Sequence, residues 1–500
     1  MRKFAAVLSF LVLFNSVGIC NHKSDKIIKI NSERQCFFDR FIVESIDGQA
    51  ELKMHTPIDR GAVLKFDKDW EGKFSGYVTV IRDGDKYRLY YRGCGEVPDD
   101  YPKTMPDEYT CYAESSDGIN WQKPELGICE FNSGRENNII LANESSRVCH
   151  NFSPFLDANP NVDSDQRYKA IGGTWQEWSD QRKRLYAYSS ADGIHWKAMR
   201  DEPVFTKVGW YFDSQNVVFF SKAENCYVMF YRAAKKGVRS IGKAVSEDFI
   251  TWVDKGNMKY SDTGTDVPSC QLYTNQTHPY YRCEQIYIAA AARFFEGRQV
   301  LTDSQAKQIG VHPKYFKDTS DSAFMTTRPG SNAYDRTFMS ALIAPGIGAQ
   351  NWVSRSNYPA LNIVQTSPTE MSLYVNQDYA QDTAHLRRYS FRIDGIASLR
   401  AEYGQGEMLT RPFVFTGDRL WLNFATSAAG SIKVEIQDAS GAAIEGFALK
   451  DARLLIGNEI ERVYDWGGRT DLGKLQGTPV RLRFVLKDAD LFSFIFKKVN

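Results

Sequence analysis

The sequence has no CxxC pair, so a structural zinc site with the usual ligand spacing is not expected. It also lacks a P-loop, a GxGxxG unit, an HExxH pair and a GxSxG elbow, which sets aside nucleotide, zinc-protease and serine-hydrolase chemistry. No cofactor and no metal are expected. Charge bias is absent too. The 62 basic and 61 acidic residues leave +1, which gives no bulk attraction to nucleic acid or to anionic lipid. No long amphipathic helical period occurs after the N-terminal leader. No apolar run is long enough for a transmembrane span. The best candidate, Phe4 to Phe14, is too short.

That run is informative in another way. Arg2 and Lys3 precede it, and Ser16 and Gly18 follow it. This is the layout of a secretory signal peptide over residues 1–20, and it predicts an extracytoplasmic protein: periplasmic, secreted or held at the outer membrane. Cys20 adds a second reading, cleavage before it and attachment of a lipid anchor. Ile19 stands where a small residue is usual, so both readings stay open. Eight further cysteines, Cys36, Cys94, Cys111, Cys129, Cys149, Cys226, Cys270 and Cys283, form an even set. In an oxidising compartment, one or two disulfides are compatible with that number.

What the chain does have is length, aromatic residues and a repeat. Five hundred residues exceed one ordinary core. The 13% aromatic content suits strands, and it also suits sugar-stacking clefts. A strand-turn unit recurs. It runs from Tyr112 through Ser115-Ser116-Asp117-Gly118 to Trp121, then from Tyr188 through Ser190-Ala191-Asp192-Gly193 to Trp196, then from Ala244 through Ser246-Glu247-Asp248 to Trp252. A degraded copy ends at Asn351-Trp352, and a fifth is suggested by Arg392-Ile393-Asp394-Gly395-Ile396. The Asp-Gly supplies a turn, with glycine free to take positive φ, and the Trp is expected to cover the outer edge of a small sheet. Between copies lie short alternating strands such as Lys86–Tyr91, Cys226–Tyr231 and Gln285–Ala290. Five such units predict an all-β, five-bladed β-propeller over residues 66–397. Residues 21–65 are expected to be an extension packed on it. From 398 to 500 the pattern becomes plain alternation, as in Leu420, Leu422, Phe424 and Val480, Leu482, Phe484. That predicts a C-terminal β-sandwich. It serves either as a carbohydrate-binding module or as a brace.

The stretches Trp70-Glu71-Gly72, Glu136-Asn137-Asn138-Ile139, Phe212-Asp213-Ser214-Gln215-Asn216-Val217 and Tyr334-Asp335-Arg336-Thr337-Phe338 resemble secreted bacterial proteins related to glycoside hydrolase family 32. Gly430–Asp438 looks like the appended sandwich of that group. The resemblance implies kinship with the five-bladed propellers of families 32, 43, 68 and 117, and a glycosidase acting on a glycan. The sequence departs from the family 32 motifs. Its Cys283-Glu284 runs in the reverse order of the family's Glu-Cys, and Ser75-Gly76-Tyr77-Val78 holds no carboxylate where family 43 starts its first inner strand with an Asp.

Glycosidic cleavage needs two proton-handling groups flanking a bond. In a propeller the starts of the inner strands face the central pocket, so acids and histidines at those starts are the candidates. Asp213, Glu71, His278 and Glu370 are the catalytic candidates. His278 is included because some five-bladed glycosidases resembling family 117 use a His as the acid. His150, Asn151, Gln215 and Asn216 are substrate-binding candidates. Arg328 and Arg336, with Asp321 and Asp335 nearby, could clamp a sugar carboxylate or sulfate, or could simply brace their loop. Trp175 could stack on a sugar ring. The expected activity is exo-acting glycoside hydrolysis of an oligo- or polysaccharide by a carboxyl pair, or a carboxyl and a His, in the central pocket. The rivals are a non-catalytic glycan-binding propeller and a scaffold for a protein partner.

Overall fold

The computed structural model describes residues 27–98, 106–143, 148–173 and 182–498. The expected leader, Cys20 and Trp175 lie outside these. Five sheets of four or five strands form a five-bladed β-propeller. Blade 1 runs Gly76–Asp83, Lys86–Gly93, Tyr109–Ser115 and Ile139–Ala142. Blade 2 is built on Ser153–Leu156, Tyr168–Gly173 and Arg182–Ser190. Blade 3 is built on Val217–Ser221, Cys226–Lys235 and Val238–Ser246. Blade 4 opens with Gln271–Thr274 and Thr277–Tyr280 against Cys283–Phe295 and Thr319–Thr327. Blade 5 takes Glu370–Gln377 and His385–Arg392 from late in the chain, and its outer strand, Ile58–Lys65, from early in it. The two ends of the propeller segment therefore share one blade, which closes the ring. At the axis the ring is also tied by the backbone bond from Val80 N to Leu361 O, 3.0 Å.

The repeat has a physical job. In blades 1, 2 and 3 the third strand ends in the same polar box. The serine hydroxyl meets an aspartate oxygen at 2.8, 3.0 and 2.9 Å, and that oxygen accepts the backbone N–H groups two and three residues further on. These bonds hold the Asp248 carboxyl down to about 2, against the opposing pull of burial. The turn sets a positive φ, +70 at Gly118, +76 at Gly193 and +69 at Phe249, and at the two glycines a neighbouring blade also comes close. The Tyr90 hydroxyl donates to Gly193 O at 2.9 Å, and the Tyr374 hydroxyl donates to Gly118 O. A Cβ on Gly193 would lie 2.6 Å from the Tyr90 hydroxyl. The tryptophans seal seams between blades rather than outer edges. Trp121 packs edge-on to Tyr374 of blade 5, and Trp196 packs edge-on to Tyr90 of blade 1 and Phe152. Asp192→Ala removes the whole box of blade 2. It should cost about 1 kcal/mol of stability, the size of a lost capping interaction, read as a lowered midpoint in urea unfolding.

Beside a two-stranded pair, Lys259–Tyr260 with Ala333–Tyr334, a further sheet has eight strands and joins both parts of the chain. Ala397–Thr410, Arg419–Asp438 and Val480–Lys497 are its long members, and Ile28–Asn31, Gln35–Cys36 and Val43–Met54 add to it. The long strands break register at one level, between Ala401 and Gln405 and between Thr426 and Ser431, and Asp488 there has φ +41. The sheet thus bends over itself around one core that includes Leu422, Phe424, Val434, Leu482, Phe484 and Phe494, all fully buried. The alternation seen in the sequence is what fills this core from one face of each strand.

The eight cysteines of the described residues are all unbonded, so the disulfides their number allowed do not form. Among the described residues, no helix is long and apolar enough to cross a membrane.

Candidate functional site

Two hollows lie on the propeller axis, at opposite ends of the inner strands. The first is bordered by Tyr77, Arg92, Glu108, His150, Asp213, Tyr273, Tyr315, Arg355 and Tyr379. The second, about 360 Å³, is lined mostly by apolar groups including Phe155, Phe220, Pro279 and Tyr281. Polar side chains plug the axis between them. Gln215 donates to the Thr79 hydroxyl at 3.0 Å and accepts from Gln276 at 2.6 Å, and Gln276 also donates to Pro359 O at 2.9 Å. The first hollow is therefore a blind pocket. Its free space is about 40 Å³, room for a few waters.

Asp213 stands at the rim because the backbone around it is held on three consecutive carbonyls. The Asn151 amide donates to Phe212 O and Ser214 O at 2.8 and 2.9 Å. The Asn216 amide donates to the same two at 3.2 and 2.9 Å. Arg232 donates to Asp213 O at 2.9 Å. Phe212 takes φ +65, a strained value for a bulky residue that such over-determined bonding can hold. The Asp213 carboxylate is left 35% exposed, with its Oδ1 3.9 Å from His150 Nε2. His150 Nδ1 lies 2.8 Å from Glu108 Oε1. Arg92 reaches Glu108 Oε1 at 3.3 Å and Phe74 O at 2.8 Å, with its guanidinium 4.7 Å from the centre of the Tyr77 ring. Burial opposes ionisation of Glu108, but His150 and Arg92 outweigh it and hold its carboxyl below the usual range. A Glu108 carboxylate accepts the Nδ1 proton and so presents Nε2 toward Asp213. Tyr77 and Arg355 also sit at positive φ, +52 and +63, so strained backbone recurs around the pocket.

Of the sequence-predicted residues, the structure brings Asp213 and His150 together in this pocket. Asn151 and Asn216 lie directly behind them, fully engaged in shaping the Asp213 turn. Gln215 is in the axial plug. The rest lie elsewhere. Glu71 is wholly buried in blade 1, bonded to the Tyr91 hydroxyl and, at 2.6 Å, to Lys123 Nζ. His278 is on the far end of the axis, because the inner edge of blade 4 begins earlier, at Gln271. Both of its nitrogens are used: Nδ1 at 2.9 Å from Gln276 O, and Nε2 accepting Ile363 N–H at 3.1 Å. Burial pushes it down to about 4, so it is neutral at ordinary pH. Glu370 is bound by Arg60 at 2.5 Å and by Arg388. Arg328 is paired with Asp39 at 2.7 Å, and Arg336 with Asp262 at 3.0 Å. The Asp335 carboxylate accepts Thr337 N–H at 2.7 Å. These arginines brace their loop, through partners other than Asp321 and Asp335. Trp175 is outside the described residues.

Glu108, Arg92, Tyr273 and Arg355 were missed. Glu108 immediately precedes the third strand of blade 1 and Arg92 is next to last in the second, so the rule that inner-strand starts face the pocket passes over both. Glu71→Gln should cost about 3 kcal/mol of stability by leaving Lys123 without its buried partner. The chemistry per folded molecule should stay unchanged, as urea unfolding beside a rate assay would register.

No family model and no curated protein matches the sequence. Several solved structures align with this chain. A glycoside hydrolase aligns at TM-score 0.47 and 13% identity, covering 67% of this chain and 92% of that one. An N-acetylgalactosamine deacetylase from F. plautii, in complex with blood group B trisaccharide, aligns at 0.48 and 11%, covering 68% and 96%. A Bombyx mori family 32 β-fructofuranosidase aligns at 0.40 and 9%, covering 88% and 95%.

Proposed function

We propose that the protein is an exo-acting glycoside hydrolase working outside the cytoplasm, with the blind axial pocket as its active site. The observation that carries this is the Glu108–His150–Asp213 chain. A part-exposed carboxylate faces an imidazole across 3.9 Å, and a buried carboxylate holds the other imidazole nitrogen at 2.8 Å. That gap is shorter than the roughly 5–10 Å between the two carboxyl groups of standard glycosidases. It fits one water bonded to both groups rather than a glycosidic bond between them. In this reading Asp213 and His150 act as one base that takes a proton from that water as it attacks the anomeric carbon, and the departing oxygen takes a proton from solvent at the pocket mouth. Glu108 fixes the tautomer and stabilises the imidazolium formed on the way. The plug of Gln215, Thr79 and Gln276 closes the pocket floor, which supports attack at chain ends. The apolar leader from Phe4 to Phe14 supports export.

The test is product analysis. Purified protein is incubated with neutral, uronate-containing and sulfated polysaccharides, and the products are separated by size. Monosaccharide accumulating from the first minutes supports the reading. Early oligosaccharides would remove the exo assignment. Retained binding to a glycan without any release would leave a glycan-binding propeller in its place.

A further inference from the structure

Three arginines surround one tyrosine beside the pocket. The guanidinium carbons of Arg232, Arg239 and Arg355 lie 5.0, 5.1 and 5.5 Å from the centre of the Tyr273 ring. Every hydrogen-bond acceptor they have is neutral. Arg232 donates to Asp213 O at 2.9 Å and Tyr273 O at 3.5 Å, Arg239 to Gln271 Oε1 at 3.3 Å, and Arg355 to the Tyr315 hydroxyl at 3.3 Å. The Nε atoms of Arg232 and Arg239 are buried with no partner, as are those of Arg92 and Arg336, so the difference lies in the acceptors of the terminal nitrogens. Other arginines of similar burial are matched by a carboxylate: Arg34 by Asp394, Arg92 by Glu108, Arg336 by Asp262 and Arg388 by Glu370. Three clustered positive charges, one of them only 5% exposed, are costly without a counter-charge. Asp213 does not supply one, because it offers Arg232 its carbonyl while its carboxylate faces His150.

We infer that the pocket takes the anionic substituent of a sugar, a carboxylate or a sulfate ester, seated against Arg355 with Arg232 and Arg239 behind it and the ring at the rim. This rests on the hydrolase reading of the same pocket. Arg355 borders the free space, and its planar fork matches two oxygens of either anion. The Tyr273 ring, sandwiched among the guanidinium groups, keeps them oriented without neutralising them. A neutral sugar in the same place would leave the cluster unmatched.

The experiment measures binding of the full chain carrying Asp213→Asn, so that turnover does not remove the ligand. Polygalacturonan, alginate, a galactan sulfate and neutral galactan and arabinan are compared. The carboxyl groups of the first two are also chemically reduced, and the sulfate is removed from the third. The expected result is binding to an anionic polysaccharide that weakens tenfold or more when its charge is removed. It should also fall with added NaCl and be lost to a similar degree in Arg355→Gln. Loss on carboxyl reduction assigns a uronate, and loss on desulfation assigns a sulfate. If Arg355→Gln fails to fold, the charge-removal and salt series decide. The inference is overturned if the tightest ligand is neutral, if charge removal leaves affinity unchanged, or if no anionic glycan binds. The two readings fail separately. An anionic glycan bound but never cleaved by the wild type ends the hydrolase reading and leaves the anion site. A neutral glycan cleaved without preference does the reverse.

Discussion

Asp213→Asn should slow glycan release by roughly 10²–10⁴, the range a positioned proton acceptor contributes, while stability stays within about 0.5 kcal/mol of the parent. The two halves of this expectation come from different atoms of one residue. The fold uses the Asp213 carbonyl, which Arg232 holds, and the flanking carbonyls, which Asn151 and Asn216 hold. It does not use the carboxylate, whose near neighbour is His150 at 3.9 Å. Asparagine keeps the shape and backbone and removes the charge and basicity. Glu108→Gln should behave differently. It should slow release and also destabilise the protein by about 2 kcal/mol, because Arg92 and His150 lose a buried carboxylate. Groups acting as one unit are far from additive, so the double variant should be little slower than Asp213→Asn alone. Rates of reducing-sugar release for the three variants, beside their urea midpoints, check this. Additive losses, or a rate for Asp213→Asn equal to the parent's, would remove the proton-handling unit.

The repeat was legible because its chemistry is local. Ser115, Asp117 and Gly118 form a turn that closes within four residues, and the same letters recur where the same turn recurs. Alternation in Leu482, Phe484 and Leu486 was legible for the same reason, since side-chain direction along a strand follows from spacing alone. The site was only half legible. Asp213 and His150 stand just ahead of inner strands, where an orienting rule applies. Glu108 and Arg355 reach the pocket from other strands and loops, and no periodicity marks them. Glu71 misled because it precedes an inner strand yet turns into the blade, drawn by Lys123, a long-range partner. His278 misled because Gln276, at φ +51, interrupts the inner edge of blade 4 and shifts the strand start. The degraded fifth turn hid most. Its aspartate, Asp394, makes no serine box. It is spent on contacts with residues remote in sequence, which only the assembled chain brings near.

Asp394→Asn should cost the protein about 3–5 kcal/mol, the scale for breaking a buried ion pair by removing one member. That is a large part of the roughly 5–15 kcal/mol that holds a typical domain folded. The Asp394 side chain is fully buried where blade 5 meets the eight-stranded sheet. It accepts bonds from the Tyr280 hydroxyl at 2.5 Å, Arg282 at 3.0 Å, Asn423 at 3.0 Å and the Ser493 hydroxyl at 2.6 Å, and it lies 3.4 Å from Arg34. Those partners come from the N-terminal segment, blade 4 and two strands of the bent sheet, so one carboxylate ties the sheet to the propeller as a brace. Asparagine suits the φ of +61 at this position, so the substitution isolates the charge from the backbone. Burial opposes ionisation here, but Arg34, Arg282 and the Ser493 and Tyr280 hydroxyls prevail and hold the carboxyl below its ordinary range. The folded value is thus depressed. Its contribution is fully present above the unfolded value near 4 and is lost as pH falls through the folded one. The cost of Asp394→Asn should therefore be full at pH 7 and shrink in acid. Because the contacts with Arg34, Asn423 and Ser493 cross the boundary between propeller and sheet, the sheet should detach first, and urea unfolding at pH 7 should split from one transition into two. A single transition with an unchanged midpoint would mean that the apolar surfaces alone hold the two parts together, and that this carboxylate is tolerated there rather than required.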